Sequence, residues 1–271
     1  MNYQTFEPHQ DLNSFVKCYW TLESPKEDTP ERQRIVPDGC MEMIFHYGDQ
    51  YKQYLQSGET IVQPRCFVFG QLTRPLEIEP TGVSGIFSVR FHPEGFMPFA
   101  SLPIKKMENR AVPLEELFGE EGRKIEQDML NASTTTGRVV TIEGFLMSRL
   151  TRVDTIDKIV KSTVETILAV NGELSVEELS MKANINRRNL ERKFSSVIGL
   201  SPKQLSRIVR LQAVLKMLQS KEYRSLTELA HEGDYYDQAH FIKDFREFTG
   251  RTPKEFYGDN LKMSSLFSGA D

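Results

Sequence analysis

His240 stands three residues after Asp237 and four before Asp244, a spacing that on a helix gathers an imidazole and two carboxylates near one face. Such a set is the beginning of a metal site or of a base-assisted catalyst. A metal needs more ligands that converge, and no other His, Cys, Asp or Glu stands three or four residues from His240. Asp237 sits where a helix would begin, so capping the first turn accounts for it without any action on the imidazole. Arg188, Glu191 and Arg192 offer a different chemistry. Guanidinium groups donate in pairs to guanine O6 and N7, and a carboxylate accepts from cytosine N4, although the same residues also suit a solvated face.

A repeat places both sets. The stretch LSVEELSMKANINRRNLERKFSSVIGLSPKQL reads as a short helix, a tight turn, a longer helix and a Gly-x-Ser-Pro stop. Downstream, SLTELAHEGDYYDQAHFIKDFREFTGRTPKEF has the same parts in the same order and stops on Gly-x-Thr-Pro. Gly suits a helix C-terminus and Pro the first turn of the next helix. At 100° per residue Leu190, Phe194 and Val197 share one stripe, with Arg188, Glu191, Arg192 and Ser195 opposite. Phe241, Phe245 and Phe248 form the matching stripe, with Ala239, Lys243 and Arg246 turned away and His240 beside them. Asn186 and Asp237 stand at the N-cap positions. Helix-turn-helix units of this size dock their second helix in the DNA major groove. A helix over 201–220 would hold the two units apart, so that they enter groove segments about one turn, ~34 Å, from each other.

The segments NRRNLERKF with GLSP, RIVRLQAVLKML and YYDQAHFIKDFREFTGRTP carry a resemblance. Through them residues 155–258 resemble the DNA-binding domain of AraC/XylS-family bacterial transcription regulators. The resemblance implies an all-α domain with two helix-turn-helix motifs joined by a linker helix. It implies contacts to double-stranded DNA from Arg187, Arg188, Glu191, Arg192, Gln238, His240, Lys243 and Arg246, and phosphate contacts from Lys203, Arg207 and Arg251. Arg210 also matches a family position, with a structural role open to it. Contact with RNA polymerase is a further implication. The family usually has Gly where Asp234 stands, with Gly233 here one place early, so the turn before the second long helix is adjusted. Asp237, Asp244 and Glu247 crowd Lys243 with negative charge, which points Lys243 to phosphates more than to bases.

Residues 1–110 read differently. FVKCYWTLE, MEMIFHYG, CFVFG and GIFSVRF are short β-branched and aromatic runs separated by turn signals at Pro37-Asp38-Gly39, Gly48-Asp49 and Thr81-Gly82. They predict an antiparallel β barrel or sandwich. FVKCYW, IVPDGCMEMIFHYGD and VRFHPEG resemble the barrel-like, cupin-like sensor module that precedes this DNA-binding domain in many such regulators, which implies an unidentified small-molecule effector. Arg90 alternates with Phe87, Val89 and Phe91 and so lies on the opposite strand face. Turned to a lumen it would bind an anionic effector; turned outward it would be solvated. Cys40, His46 and His92 lack the His-x-His and Glu pattern of a cupin metal site, and no metal, cofactor or catalytic residue is expected.

Residues 111–151 are helical in period, and Val139, Ile142, Leu146 and Arg149, with Phe145 beside them, form a stripe that serves either the core or a homodimer. The join at 151–155 has no Pro or Gly and reads as short and stiff, and 259–271 reads as a frayed tail. The expected fold is thus a two-domain α+β chain: 1–151 a sensor domain, 155–258 the DNA-binding domain.

Bulk properties agree. The chain of 271 residues carries a net charge of -4, but residues 171–258 hold 15 Lys and Arg against 12 Asp and Glu, a balance of +3 that leaves -7 elsewhere. Cys18, Cys40 and Cys66 have no CxxC spacing, which speaks against a disulfide framework and against a four-cysteine zinc site of the alkyl-transfer repair enzymes sometimes fused to such domains. No membrane span and no signal peptide is expected, and a cytoplasmic location fits. A sequence-specific DNA-binding transcription regulator is therefore expected, not an enzyme. The alternatives are a regulator controlled by a protein partner, and a cupin-type metalloenzyme fused to DNA-binding helices.

Overall fold

The computed structural model describes residues 1–150, 157–220, 226–233 and 235–256. The expected join at 151–155, the Asp234 turn and the tail at 259–271 therefore lie outside the described residues or reach beyond them.

Ten strands build the N-terminal domain as two antiparallel sheets. The larger contains, in spatial order, β1 (Asn2–Phe6), β2 (Val16–Ser24), β9 (Ser84–Phe91), β4 (Glu42–His46), β7 (Cys66–Phe69) and β10 (Ala111–Pro113). The smaller contains β3 (Gln33–Ile35), β8 (Leu76–Pro80), β5 (Tyr51–Tyr54) and β6 (Thr60–Val62). Each sheet keeps two edge strands, so the sandwich alternative holds and the barrel is not closed.

β9 explains the layering. It is buried along its whole length, although its sequence alternates. Phe87, Val89 and Phe91 join Tyr19, Met43, Phe45 and Val68 in the core that packs against α1 (Leu114–Phe118), α2 (Glu120–Asn131) and α3 (Thr135–Arg149). Ile86 points the other way, with Trp20 and Leu22, and meets Tyr51 and Ile78 of the smaller sheet. The larger sheet is thus covered by helices on one face and by the second sheet on the other. Burial of both faces removes the water that would pair with any polar side chain pointing inward.

In α3, Ile142 and Leu146 are buried, and Val139 and Phe145 pack against the same core. The stripe proposed for either role is therefore intramolecular core, while Val140 on the other side is 66% exposed.

The C-terminal helices are α4 (Lys158–Ala169), α5 (Val176–Lys182), α6 (Arg187–Val197), α7 (Pro202–Ser220), α8 (Leu226–Glu232), α9 (Gln238–Thr249) and α10 (Pro253–Phe256). Their core is one cluster threaded by α7, whose Leu205, Ile208, Leu211, Val214 and Leu215 meet helices on both sides. Val36 of the N-terminal domain enters this cluster as well. Gly199 carries φ of +82°, and a Cβ there would lie 2.9 Å from Ile104 Cγ2, so the end of α6 abuts the N-terminal domain too closely for any side chain.

Candidate nucleic-acid interface

Each helix-turn-helix unit is fixed by local chemistry. The Ser175 side chain accepts from Glu178 N and the Glu178 carboxylate accepts from Ser175 N, a reciprocal cap at the start of α5. Asn184 adopts φ of +50° in the turn, and the Asn186 side chain accepts from Asn189 N at 2.9 Å to start α6. In the second unit the Asp237 carboxylate accepts from His240 N at 2.7 Å. Asp237 is thus a cap, as its position suggested.

The shared Gly-x-(Ser/Thr)-Pro stop is more than Gly and Pro. Gly199 and Gly250 take positive φ, +82° and +73°, and end α6 and α9. Ser201 and Thr252 then cap α7 and α10 through reciprocal bonds with Gln204 and Glu255, three residues on. The Ser-x-x-Gln and Thr-x-x-Glu spacings of Ser201 with Gln204 and of Thr252 with Glu255 are the sequence signal of these two caps.

The two faces separate as the helical wheel predicts. Leu190, Phe194 and Val197 of α6 and Phe241, Phe245 and Phe248 of α9 are buried. On the outer face Arg188 and Arg192 of α6 are exposed, as are Gln238, Ala239, His240, Lys243 and Arg246 of α9. Arg188, Arg192, Lys243 and Arg246 make no ion pair among the described residues, so their charges are available to a partner. His240 Nε2 lies 3.7 Å from Asp244 Oδ1, and the ring stands edge-on to Tyr235.

Other members of the set are already engaged. Arg187 bonds Glu177 and Glu191, tying α5 to α6 on the surface. Arg207 donates two bonds to the Asp244 carboxylate, at 3.0 and 2.9 Å, and reaches Glu247 at 2.6 Å, with its guanidinium over the Phe248 ring. This fork pins α9 to α7, and the two carboxylates hold the Arg207 proton more firmly than usual against the opposing effect of burial. Arg210 donates to Gly172 O at 2.8 Å and stands over Tyr235, joining the α4–α5 turn to the second unit. Lys203 is exposed, and Arg251 is half-buried. The crowding expected around Lys243 is relieved, because Asp244 and Glu247 face Arg207 and Asp237 caps the helix.

Arg90 lies between the two sheets, 4% exposed, and pairs with Asp38 at 2.5 Å and Glu42 at 2.7 Å. It is neither solvated nor free of carboxylates. Of the three imagined metal ligands, Cys40 and His46 lie between the sheets, while His92 contacts Asn13 O at 3.2 Å at the end of β9. Among the described residues no three His, Cys, Asp or Glu side chains gather to hold a metal. Among them also no helix is long and apolar enough to cross a membrane.

Residues 179–258 match a helix-turn-helix domain family, and residues 4–113 match a domain of unknown function (DUF6597). An uncharacterized HTH-type transcriptional regulator of Haemophilus influenzae is 32% identical over 81 residues, which are 30% of this chain and only 27% of that protein's length. Among solved structures, ToxT from Vibrio cholerae aligns over 88% of this chain and 97% of its own, at 10% identity and a TM-score of 0.48. The DNA-binding domain of AdpA, solved with a target DNA, aligns over 37% of this chain and 91% of its own, at 24% identity and a TM-score of 0.35. With its two capped units, its joining helix and its matched residues, the C-terminal part of this chain is a helix-turn-helix domain.

Proposed function

We propose that this protein regulates transcription by binding specific sequences of double-stranded DNA through α6 and α9, under the control of a small molecule sensed by its N-terminal domain. One observation carries the reading. Two copies of one unit each turn a row of unengaged polar and cationic side chains to solvent, opposite a buried apolar stripe, and α7 holds the copies together. Arg188 and Arg192 read bases in the first groove segment, supported by Arg187 and Glu191. Gln238, His240, Lys243 and Arg246 serve the second. Lys203 and Arg251 meet phosphates, while Arg207 positions α9. A homodimer, with the outer face of α3 around Val140 toward the second copy, would join two half-sites and raise avidity without new contacts. Contact with RNA polymerase completes the role.

The test is capture of sheared genomic DNA by the purified chain at about 0.1 M salt, with and without a metabolite extract. Enrichment of discrete sites is expected, with affinity that falls steeply as salt displaces the advantage of counterion release. No enriched site under either condition would overturn the reading.

A further inference from the structure

DNA binding makes no use of a partly open cavity between the two sheets. Its apolar walls include Trp20, Ile44 and Ile86 of the larger sheet and Ile35, Tyr51 and Ile78 around the smaller one. The space is about 70 Å³, room for roughly five water-sized spheres and so for a body of about one ring. Its polar groups are Asp38, Cys40, Glu42, His46 and Gln63.

Two observations set the chemistry of an occupant. Asp38 and Glu42 share the single Arg90 guanidinium, at 2.5 and 2.7 Å, and Ser88 Oγ also donates to Glu42. Two carboxylates on one cation leave no positive charge to spare, so an anionic ligand would meet repulsion and desolvation together. His46 is the second. It is 2% exposed, stacks on Tyr51, and has neither ring nitrogen in a well-formed hydrogen bond; Gln63 is the polar side chain beside it. Burial lowers its pKa to about 4, so at neutral pH it is an uncharged imidazole with one donor and one acceptor to offer. A buried imidazole with no better partner than Gln63 costs free energy that a ligand would recover.

The wall of the cavity is also the contact with the DNA-binding domain. In residues 35–40 the two directions interleave. Ile35, Asp38 and Cys40 line the cavity. Val36 lies in the helical core, Pro37 O accepts from Gln212 Nε2 of α7 at 2.6 Å, and a Cβ on Gly39 would fall 2.8 Å from Leu205 Cδ1. Gly39 adopts φ of +80°, so this segment is built for close approach to α7. α7 in turn holds α9 through Arg207.

We propose that the cavity binds a small apolar molecule bearing a hydrogen-bond-donating head, best a protonated amine and not an anion, and that residues 35–40 pass its occupancy to α7. The proposal rests on the reading of the chain as an effector-responsive regulator. Occupancy would act by favouring one placement of the segment, and a ligand shifts that balance only by its different affinity for the two placements.

Trp20 is the only tryptophan in the sequence and lines the cavity, so its emission reports occupancy independently of DNA. The full chain would be titrated with 2-phenylethylamine, 2-phenylethanol and phenylacetate, which share a ring and differ in the head. The amine is expected to bind at least tenfold more tightly than the carboxylate, with the alcohol between them. The cavity-filling Ile44→Phe variant should abolish all three responses. A matching or stronger response to phenylacetate, no Trp20 response to any of the three, or full binding by Ile44→Phe would overturn the site. For the coupling, Gln212→Leu should keep amine binding within about twofold while losing the amine's effect on affinity for a duplex selected from a randomised library. An effect that survives in that variant, or is missing in the natural chain, would overturn the coupling. DNA binding measured without any ligand tests the regulator reading separately, so the two failures are distinguishable.

Discussion

In the first helix-turn-helix unit α6 is held by its apolar stripe, by the abutment of Gly199 on Ile104, and by a surface cluster of Arg187 with Glu177 and Glu191. In the second, α9 is held by its stripe and by Asp244, 3% exposed, in the fork of Arg207. The scaffold is duplicated, but the means of fixing its second helix is not. An exposed ion pair contributes little because water and salt screen it, whereas a buried carboxylate left without its partner is costly. The most sheltered ion pair of the first unit, Lys193 with Asp157, is still about a third exposed, so only the second unit depends on a fully buried charge.

The sharpest way to break that contrast is Asp244→Ala. It removes the carboxylate and leaves Arg207 half-buried with Glu247 alone, at a cost of about 3 kcal/mol. Thermal unfolding should show the loss, and DNA contacts of α9 should weaken before those of α6. Arg188→Ala should cost about 2 kcal/mol of DNA affinity and relax preference at one or two base pairs, as read by titration against a randomised library. Lys243→Ala should cost less, because Lys is a point donor without the planar fork.

Glu94 bears on the first unit from the N-terminal side. It is 4% exposed, and burial, with Glu165 adding to it and Lys161 opposing, raises its pKa from 4.5 to about 7. The folded state therefore binds a proton that the unfolded state releases above pH 4.5. Stability from this group is full at low pH and is lost as pH rises through about 7. Glu94→Gln should then stabilise the chain at pH 8, by on the order of 2 kcal/mol, and much less at pH 5. Equal melting shifts at the two values would refute the assignment. The smallest effect is expected from Arg187→Ala, which should leave the melting temperature unchanged.

What could be read from the chain beforehand follows the range of the interactions. The repeat, the caps at Asn186 and Asp237, the glycine stops and both buried stripes depend on residues within one helix or turn, and spacing alone located them. The Arg207 fork joins residues 37 apart in sequence, and nothing in the local pattern around either one marks the pair. Arg207 therefore looked like any other cation on a DNA-binding helix. Strand alternation sets Arg90 on the face opposite Phe87, Val89 and Phe91, but it says nothing of what covers that face. Its burial comes from the second sheet, and its partners Asp38 and Glu42 come from a turn and a strand remote in sequence. The α3 stripe shows the same gap: periodicity defines an apolar face, and only the neighbouring elements decide whether a core or a second copy covers it.

The most direct test of the central claim is selection of duplexes from a randomised library by the full chain, repeated with Arg188→Ala and with Lys243→Ala. Two blocks of base preference about one helical turn apart are expected, with Arg188→Ala changing one block and Lys243→Ala weakening only the other. A single block, or both blocks changed alike by either substitution, would contradict two units that read separate segments of one duplex.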